Sequence, residues 1–315
     1  MKKLVLLMLA VLLLGTLTAC GNGGKENERK TIVTTIFPVY DWTRVILGDN
    51  PGGFTLKLLV ENGVDLHSYQ PTADDIMTIG GSGMFLYVGG ESDDWVKNVL
   101  RTTKDAKRRE VCLMDVLGDA LKAEELVEGM QGEAEEDATD EHIWLSLRNA
   151  EALCRVIGEE LAAMDPDHAE TYRKNAADYI EKLAALDREY AKTVSEGKRR
   201  TLLFGDRFPF RYLVEDYGLS YYAAFSGCSA ETEASFDTIS FLAGKMDELS
   251  LPCILVLDGS NRKLAQTVIQ NTRAGNQDIV EMNSIQSVKR SDIDKGTTYL
   301  SIMQQNLAAL SEALR

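Results

Sequence analysis

The chain has 315 residues, with 34 Lys and Arg against 49 Asp and Glu and a formal net charge of −15. A chain of this balance repels phosphate backbones, and no basic stripe offsets the repulsion, which excludes nucleic-acid binding. The acidity suits solubility and a weak attraction for cations, which is not in itself a metal site.

The first element is a secretory signal: Met1-Lys2-Lys3, an apolar run over 4–14, then Leu17-Thr18-Ala19-Cys20. The run is too short to span a bilayer, which takes about 20 apolar residues. Leu17-Thr18-Ala19-Cys20 resembles the bacterial lipobox, so Cys20 is the expected site of lipidation and the new amino terminus. Two or more acyl chains there would anchor the protein stably outside the cytoplasmic membrane. A polar tether, 21–30, follows. Residues 1–20 hold two lysines and no acid, so their removal leaves 295 residues with net charge −17. That length suits two lobes, and no later segment is long and apolar enough to cross a membrane.

Short β-rich runs then alternate with helical patterns. Segments 31–37, 54–60, 84–89 and 111–116 read as strands, with helical spacing at 39–47, 73–79 and 94–101. A second series has strands at 201–204, 220–225, 253–257 and 279–282 and helices at 210–217, 236–249, 263–271 and 298–314. Near-continuous apolar strands separated by helices imply parallel sheets covered on both faces. The fold class expected is therefore α/β, with two lobes, each a mostly parallel four-stranded sheet flanked by helices. The lobes span 31–164 and 197–315.

Between them lies helical sequence at 147–164 and then a linking segment, 165–196. Asp165 as N-cap and Pro166 at the first helical position make a start signal. Tyr172, Ala176, Tyr179, Leu183, Leu186 and Tyr190 keep helical spacing with no internal Gly or Pro. One long rigid helix of about 30 residues would run roughly 45 Å; two packed helices with a hidden break are the alternative. The stretch 124–141 carries nine Asp or Glu in eighteen residues and reads as a solvated loop, with a lure for cations as the competing reading. Cys112, Cys154, Cys228 and Cys253 are scattered without the spacing of a disulfide scaffold and read as separate thiols; two disulfides remain possible in an exported protein.

Three histidines exist. His168 stands in a helix start and carries only a structural reading. His67 follows a strand and precedes a helix whose Thr72 and Asp75 form a capping-box pattern. His142 closes the acidic stretch. Loops beyond the carboxyl ends of parallel strands are where open α/β sheets bind ligands, and neutral imidazoles ligate zinc-class ions.

The stretches Gly63-Val64-Asp65-Leu66-His67-Ser68-Tyr69-Gln70-Pro71-Thr72 and Asp140-Glu141-His142-Ile143-Trp144-Leu145-Ser146 resemble the zinc- and manganese-binding solute-binding lipoproteins of bacterial ABC importers. The likeness continues through Asp165-Pro166, Tyr217-Gly218-Leu219, Glu231-Thr232-Glu233 and Tyr299-Leu300. It implies a monomer with Zn2+ or Mn2+ as transported ligand, delivered to an ABC importer permease and its ATPase. His67 and His142 would be metal ligands from the first lobe. Some members of that family were first described as adhesins, so cell adhesion is a further reading. The second lobe departs from the pattern: Arg207 stands where a third His is expected, and Asn283, a candidate ligand through its amide oxygen but without negative charge, where an Asp is. A guanidinium cannot ligate a cation, so compensation is expected from Asp206 first, then Glu233, Glu231 or Cys228.

Two other functions compete. The same fold could hold a metal chelate or organic solute through Arg207, Arg211, Tyr69, Phe208, Phe210 and Tyr212. A zinc-dependent hydrolase would use His67, His142 and a carboxylate, but the His-Glu-x-x-His arrangement is absent.

Overall fold

A computed structural model describes residues 30–61, 63–132, 138–229 and 233–315. The signal segment with Cys20, the tether up to residue 29, and Glu231 lie outside the described residues.

The first lobe is built from β1 (Thr31–Thr34), α1 (Phe37–Leu47), β2 (Thr55–Leu58), α2 (Ala73–Gly81), β3 (Met84–Tyr87), α3 (Asp94–Thr102), β4 (Arg109–Cys112) and α4 (Leu113–Leu117). Its four strands are all parallel, in the order β2-β1-β3-β4. Helices on both faces explain why Met84, Phe85 and Leu86 are consecutive and all fully buried. The capping box over Thr72 and Asp75 starts α2 as the sequence indicates.

The second lobe repeats the scheme with β5 (Thr201–Phe208), α7 (Arg211–Tyr217), β6 (Ser220–Ser226), α8 (Phe236–Glu248), β7 (Cys253–Leu257), α9 (Lys263–Gln270), β8 (Asp278–Met282), α10 (Arg290–Ile293) and α11 (Tyr299–Ala313). Between the lobes run α5 (Leu147–Met164) and α6 (Ala169–Glu196). Strand order is β6-β5-β7-β8, again parallel. The two-lobed α/β architecture read from the sequence is the one observed.

Three local differences have physical causes. The run 111–116 splits: β4 ends at Cys112, opposite Tyr87, and Leu113 opens a short helix that buries Leu113 and Met114. Periodicity cannot separate a buried strand from a buried helix over so few residues. β5 extends to Phe208, with a register irregularity between Phe204 and Arg207. Its Gly205 has no room for a side chain, because a Cβ would lie 2.7 Å from Ile254 Cδ1 and 3.0 Å from Ala265 Cα. The long helix starts after a 3-10 turn, Pro166–His168, and the Asp165 carboxylate caps no backbone N–H. It accepts instead from Tyr172 Oη at 2.8 Å and pairs with His168 Nδ1 at 2.8 Å.

Helix α6 is 28 residues without a break, or about 42 Å. Its buried stripe is Tyr172, Ala176, Tyr179, Leu183, Leu186, Tyr190 and Val194. That stripe packs on α5, α1 and α11, so one apolar cluster runs through both lobes. A buried polar seam fixes their relation. Trp144 Nε1 donates to Ser284 O at 2.9 Å, and Tyr299 Oη donates to Trp144 O at 2.7 Å. The first-lobe carboxylate Asp41, fully buried, accepts from Tyr299 N at 2.8 Å and from Arg44 Nη2 at 2.7 Å. Trp42 packs edge-on against the Tyr299 ring at 5.1 Å.

Deleting a partner that leaves a buried N–H unsatisfied costs about 1–3 kcal/mol. Asp41→Ala orphans the Tyr299 N–H, so its unfolding free energy from urea titration should fall by that amount. Asp41→Asn, which keeps an acceptor, should recover part of the loss.

Candidate metal centre

In both sheets the strand order reverses direction beside the first strand of the lobe, and the crevice outside the carboxyl ends of such strands is the ordinary ligand position. A cavity of about 540 Å³ lies there between the lobes, lined by Asp65, His67 and Ser68 from the first and by Asp206, Arg207, Cys228 and Asp258 from the second.

His67 sits in the 3-10 turn Leu66–Ser68, entered through Asp65, whose carboxylate accepts from His67 N at 3.0 Å. Its Nδ1 is 2.7 Å from Ser92 Oγ and 3.0 Å from Glu141 Oε1. The Ser92 hydroxyl also donates to Glu141 Oε1, and Ser92 N donates to Oε2 at 3.1 Å. Burial pushes the Glu141 carboxyl up, but the bond from His67, the His142 and His67 charges and Ser92 outweigh it and hold it at about 2. An ionised Glu141 only accepts, so His67 carries its proton on Nδ1 and presents a bare Nε2 lone pair.

His142 is fully buried. Its Nδ1 is 3.0 Å from Asp140 Oδ1, which also accepts from His142 N at 2.8 Å. Tyr212 Oη, from the second lobe, donates to Asp140 O at 2.7 Å and fixes that segment. Burial alone would lower the His142 pKa; the Asp140 carboxylate, then Glu141 and Glu124, raise it above the ordinary imidazole value. Here too Nε2 is left facing the cleft.

The two Nε2 atoms are 3.3 Å apart. Two nitrogens each 2.0–2.1 Å from a tetrahedral zinc are about 3.3 Å from one another. Carboxylates on the far nitrogens fix tautomer and ring orientation, the usual outer arrangement of metal-binding imidazoles.

The second lobe approaches through a loop at 227–229. A Cβ on Gly227 would lie 2.9 Å from His142 Cε1 and 2.9 Å from Phe208 O, so only glycine lets the loop come this close. The Cys228 sulfur and the histidine nitrogens all lie within 4.8 Å of one another. Burial, with Glu141, Glu124 and Asp140 nearby, pushes the Cys228 thiol up. From the loop after β8, the buried Gln286 brings Nε2 to 3.4 Å from His67 Nε2.

The other candidates are engaged elsewhere. Asp206 accepts from Arg207 N at 2.9 Å and Leu257 N at 3.3 Å, bracing the strand irregularity. Arg207 Nη2 pairs with Asp65 across the cleft at 2.7 Å. Asn283 Oδ1 accepts from Ile285 N at 2.7 Å, closing a turn in which Ile285 takes a left-handed φ of 61°. A β-branched residue pays for that conformation, and here the turn delivers Gln286 to the cleft. Glu233 is exposed. Tyr69 donates to Asp75 at 2.9 Å and packs edge-on to Trp95. The groups named for an organic solute are likewise engaged: Phe208, Phe210 and Tyr212 are buried, and Arg211 pairs with Glu125 and Glu215.

Sequence reasoning missed Ser92, Asp140, Glu141 and Gln286. Asp140 and Glu141 flank His142 in the motif, a signal that could have found them; Ser92 and Gln286 carry none. The acidic stretch is also more ordered at its described ends than a solvated loop. Ala123 bridges Thr139 antiparallel, and Gln131 N donates to Ala224 O at 2.9 Å along the edge of β6. Cys112, Cys154, Cys228 and Cys253 are free thiols, as expected.

Residues 32–313 match the family model described as the periplasmic component A of the zinc-uptake complex. The zinc-binding lipoprotein AdcA of Streptococcus pneumoniae serotype 4 is 33% identical over 317 residues, covering 99% of this chain and 61% of that protein. The high-affinity zinc uptake system protein ZnuA of Bacillus subtilis is 28% identical over 311 residues, covering 94% of this chain and 93% of that protein. The solved Zn(II)-bound ZnuA-like domain of Streptococcus pneumoniae AdcA superimposes with a TM-score of 0.72 at 31% identity, covering 91% of this chain and 99% of that domain. This chain thus spans about three-fifths of the AdcA relatives, 61% of their length.

Loss of an outer partner of a ligating histidine typically costs 10–100-fold in metal affinity. Asp140→Asn and Glu141→Gln should each weaken zinc by about that factor in a competition titration, with far-UV dichroism unchanged.

Proposed function

The chain belongs to the periplasmic zinc-uptake component A family, and we propose that it captures zinc, with manganese second, outside the cytoplasmic membrane and delivers it to an ABC importer permease and its ATPase. The family is one of metal-binding solute-binding proteins, not enzymes. One observation carries the reading: two imidazoles with Nδ1 held by carboxylates and Nε2 atoms 3.3 Å apart in an interlobe cleft.

The residues divide the work. His67 and His142 supply neutral nitrogen donors. Asp140, Glu141 and Ser92 hold their protons on the far nitrogens, and the second lobe closes over the ion. A site divided between lobes can release its cargo when they separate, as a carrier must. We assign the lobes to 31–164 and 197–315 with 165–196 linking them, and lipid attachment to Cys20. No helix of the described residues is long and apolar enough to cross a membrane.

His67→Ala and His142→Ala should each abolish tight one-to-one zinc binding in a chelator-competition titration. A full chain that binds no zinc sinks the proposal. Zinc must displace any proton on a ligand imidazole, so affinity falls as pH falls. Because Asp140 raises the His142 pKa, the decline should begin above the ordinary imidazole value of about 6.5. Isothermal titration between about pH 8 and about pH 5 reads this directly, and a flat profile contradicts a two-imidazole site.

A further inference from the structure

We infer that Cys228 is the second-lobe ligand of this centre, bound as a thiolate, and that the cargo is accordingly a thiophilic divalent ion, with manganese disfavoured. The inference rests on the metal-capture reading and specifies its chemistry.

The Cys228 sulfur and both histidine nitrogens fall within 4.8 Å of one another. An ion 2.0–2.1 Å from each nitrogen and about 2.3 Å from sulfur needs nitrogen–sulfur separations of roughly 3.6 Å. A rotation of one side chain or about 1 Å of loop approach supplies the difference. The loop is shaped for it, since Gly227 packs directly on the Cε1 edge of the His142 ring and brings residue 228 beside the two histidines.

The other second-lobe donors among the described residues are committed. Asp206 spends its oxygens on two backbone N–H groups, Asp258 on Ser284 and Ser287, and Asn283 on Ile285, while Arg207 is a cation paired with Asp65. Glu141 lies close, but on the Nδ1 side of His67, where its Oε1 also accepts from the Cys228 thiol at 3.9 Å, a weak contact that the sulfur gives up on metal binding. Cys228 is therefore the described second-lobe group able to bring negative charge to the open nitrogens. Binding releases the thiol proton to solvent and forms the metal–sulfur bond, with no change in oxidation state. Two neutral imidazoles and one thiolate leave a fourth position for water or the Gln286 amide. Thiolate with imidazole suits zinc and cobalt, whereas manganese prefers oxygen donors.

The test is Co2+ titration of the full chain in detergent, under reducing conditions, with Zn2+ and Mn2+ by chelator competition. The wild type should take one Co2+ and develop the intense near-ultraviolet band of thiolate-to-cobalt charge transfer. Cys228→Ser should lose that band, and Cys112→Ser should keep it. Zinc affinity in Cys228→Ser should fall at least tenfold, since even outer-shell losses cost about 10–100-fold, while manganese affinity stays unchanged. The wild-type spectrum decides alone if Cys228→Ser fails to fold. One-to-one Co2+ binding without the band, or a band that survives Cys228→Ser, overturns thiolate ligation and leaves metal capture standing. A wild type that binds neither Co2+ nor Zn2+ overturns both.

Discussion

Two imidazole Nε2 atoms face one another at 3.3 Å across the mouth of the first lobe. A metal between them needs both lone pairs free, which requires each ring to be held through its far nitrogen. Asp140 and Glu141 provide that hold, both almost fully buried. A buried carboxylate is costly unless partnered, and here each is partnered: Asp140 by His142 N and Nδ1, Glu141 by His67 and both donors of Ser92. The fold thus concentrates negative charge one bond behind two neutral donors. A divalent cation placed between the nitrogens meets both at once, and an anion meets neither favourably.

That local order depends on the seam between the lobes. Asp140 is steadied by Tyr212 of the second lobe, and the helix after His142 begins with Trp144 bonded to Ser284 and Tyr299. Tyr299 in turn caps onto the first-lobe carboxylate Asp41. His142 is therefore positioned by both lobes and the unbroken α6 beside them, while His67 rides on a short turn, part-exposed, at the rim. One imidazole is held rigidly and the other is accessible, a division that suits the proposed entry and release of an ion.

Much of this was legible in the sequence because it is carried by local signals. Strand-helix alternation gave two parallel sheets, the Tyr172-to-Tyr190 stripe gave one long helix, and His67 and His142 stood out in their motifs. What was not legible depends on contacts across long separations. Gln286 reaches His67 through a turn that Asn283 closes and Ile285 strains, so reading Asn283 by its donor type mistook a turn-former for a ligand candidate. Asp206 ranked first for its place next to Arg207, but the strand irregularity turns its oxygens to backbone N–H groups. Cys228 stood behind Asp206 because nothing in Ser226-Gly227-Cys228-Ser229 reveals that glycine lets the loop touch His142.

Arg207 is the most informative departure. Where the family resemblance calls for a third imidazole, this chain has a cation that bonds Asp65 across the cleft at 2.7 Å. Both partners are part-exposed, and such pairs contribute about 0–1 kcal/mol. The ion pair therefore adds little to the buried seam of Trp144, Ser284, Tyr299 and Asp41 that already fixes the lobes. The guanidinium also keeps the Asp65 carboxylate engaged at the rim of the cleft, which removes one oxygen donor from the centre. What is left beside it is a lobe contact independent of the metal, and the proposed coordination sphere of the two histidines and the loop that Gly227 brings down upon them.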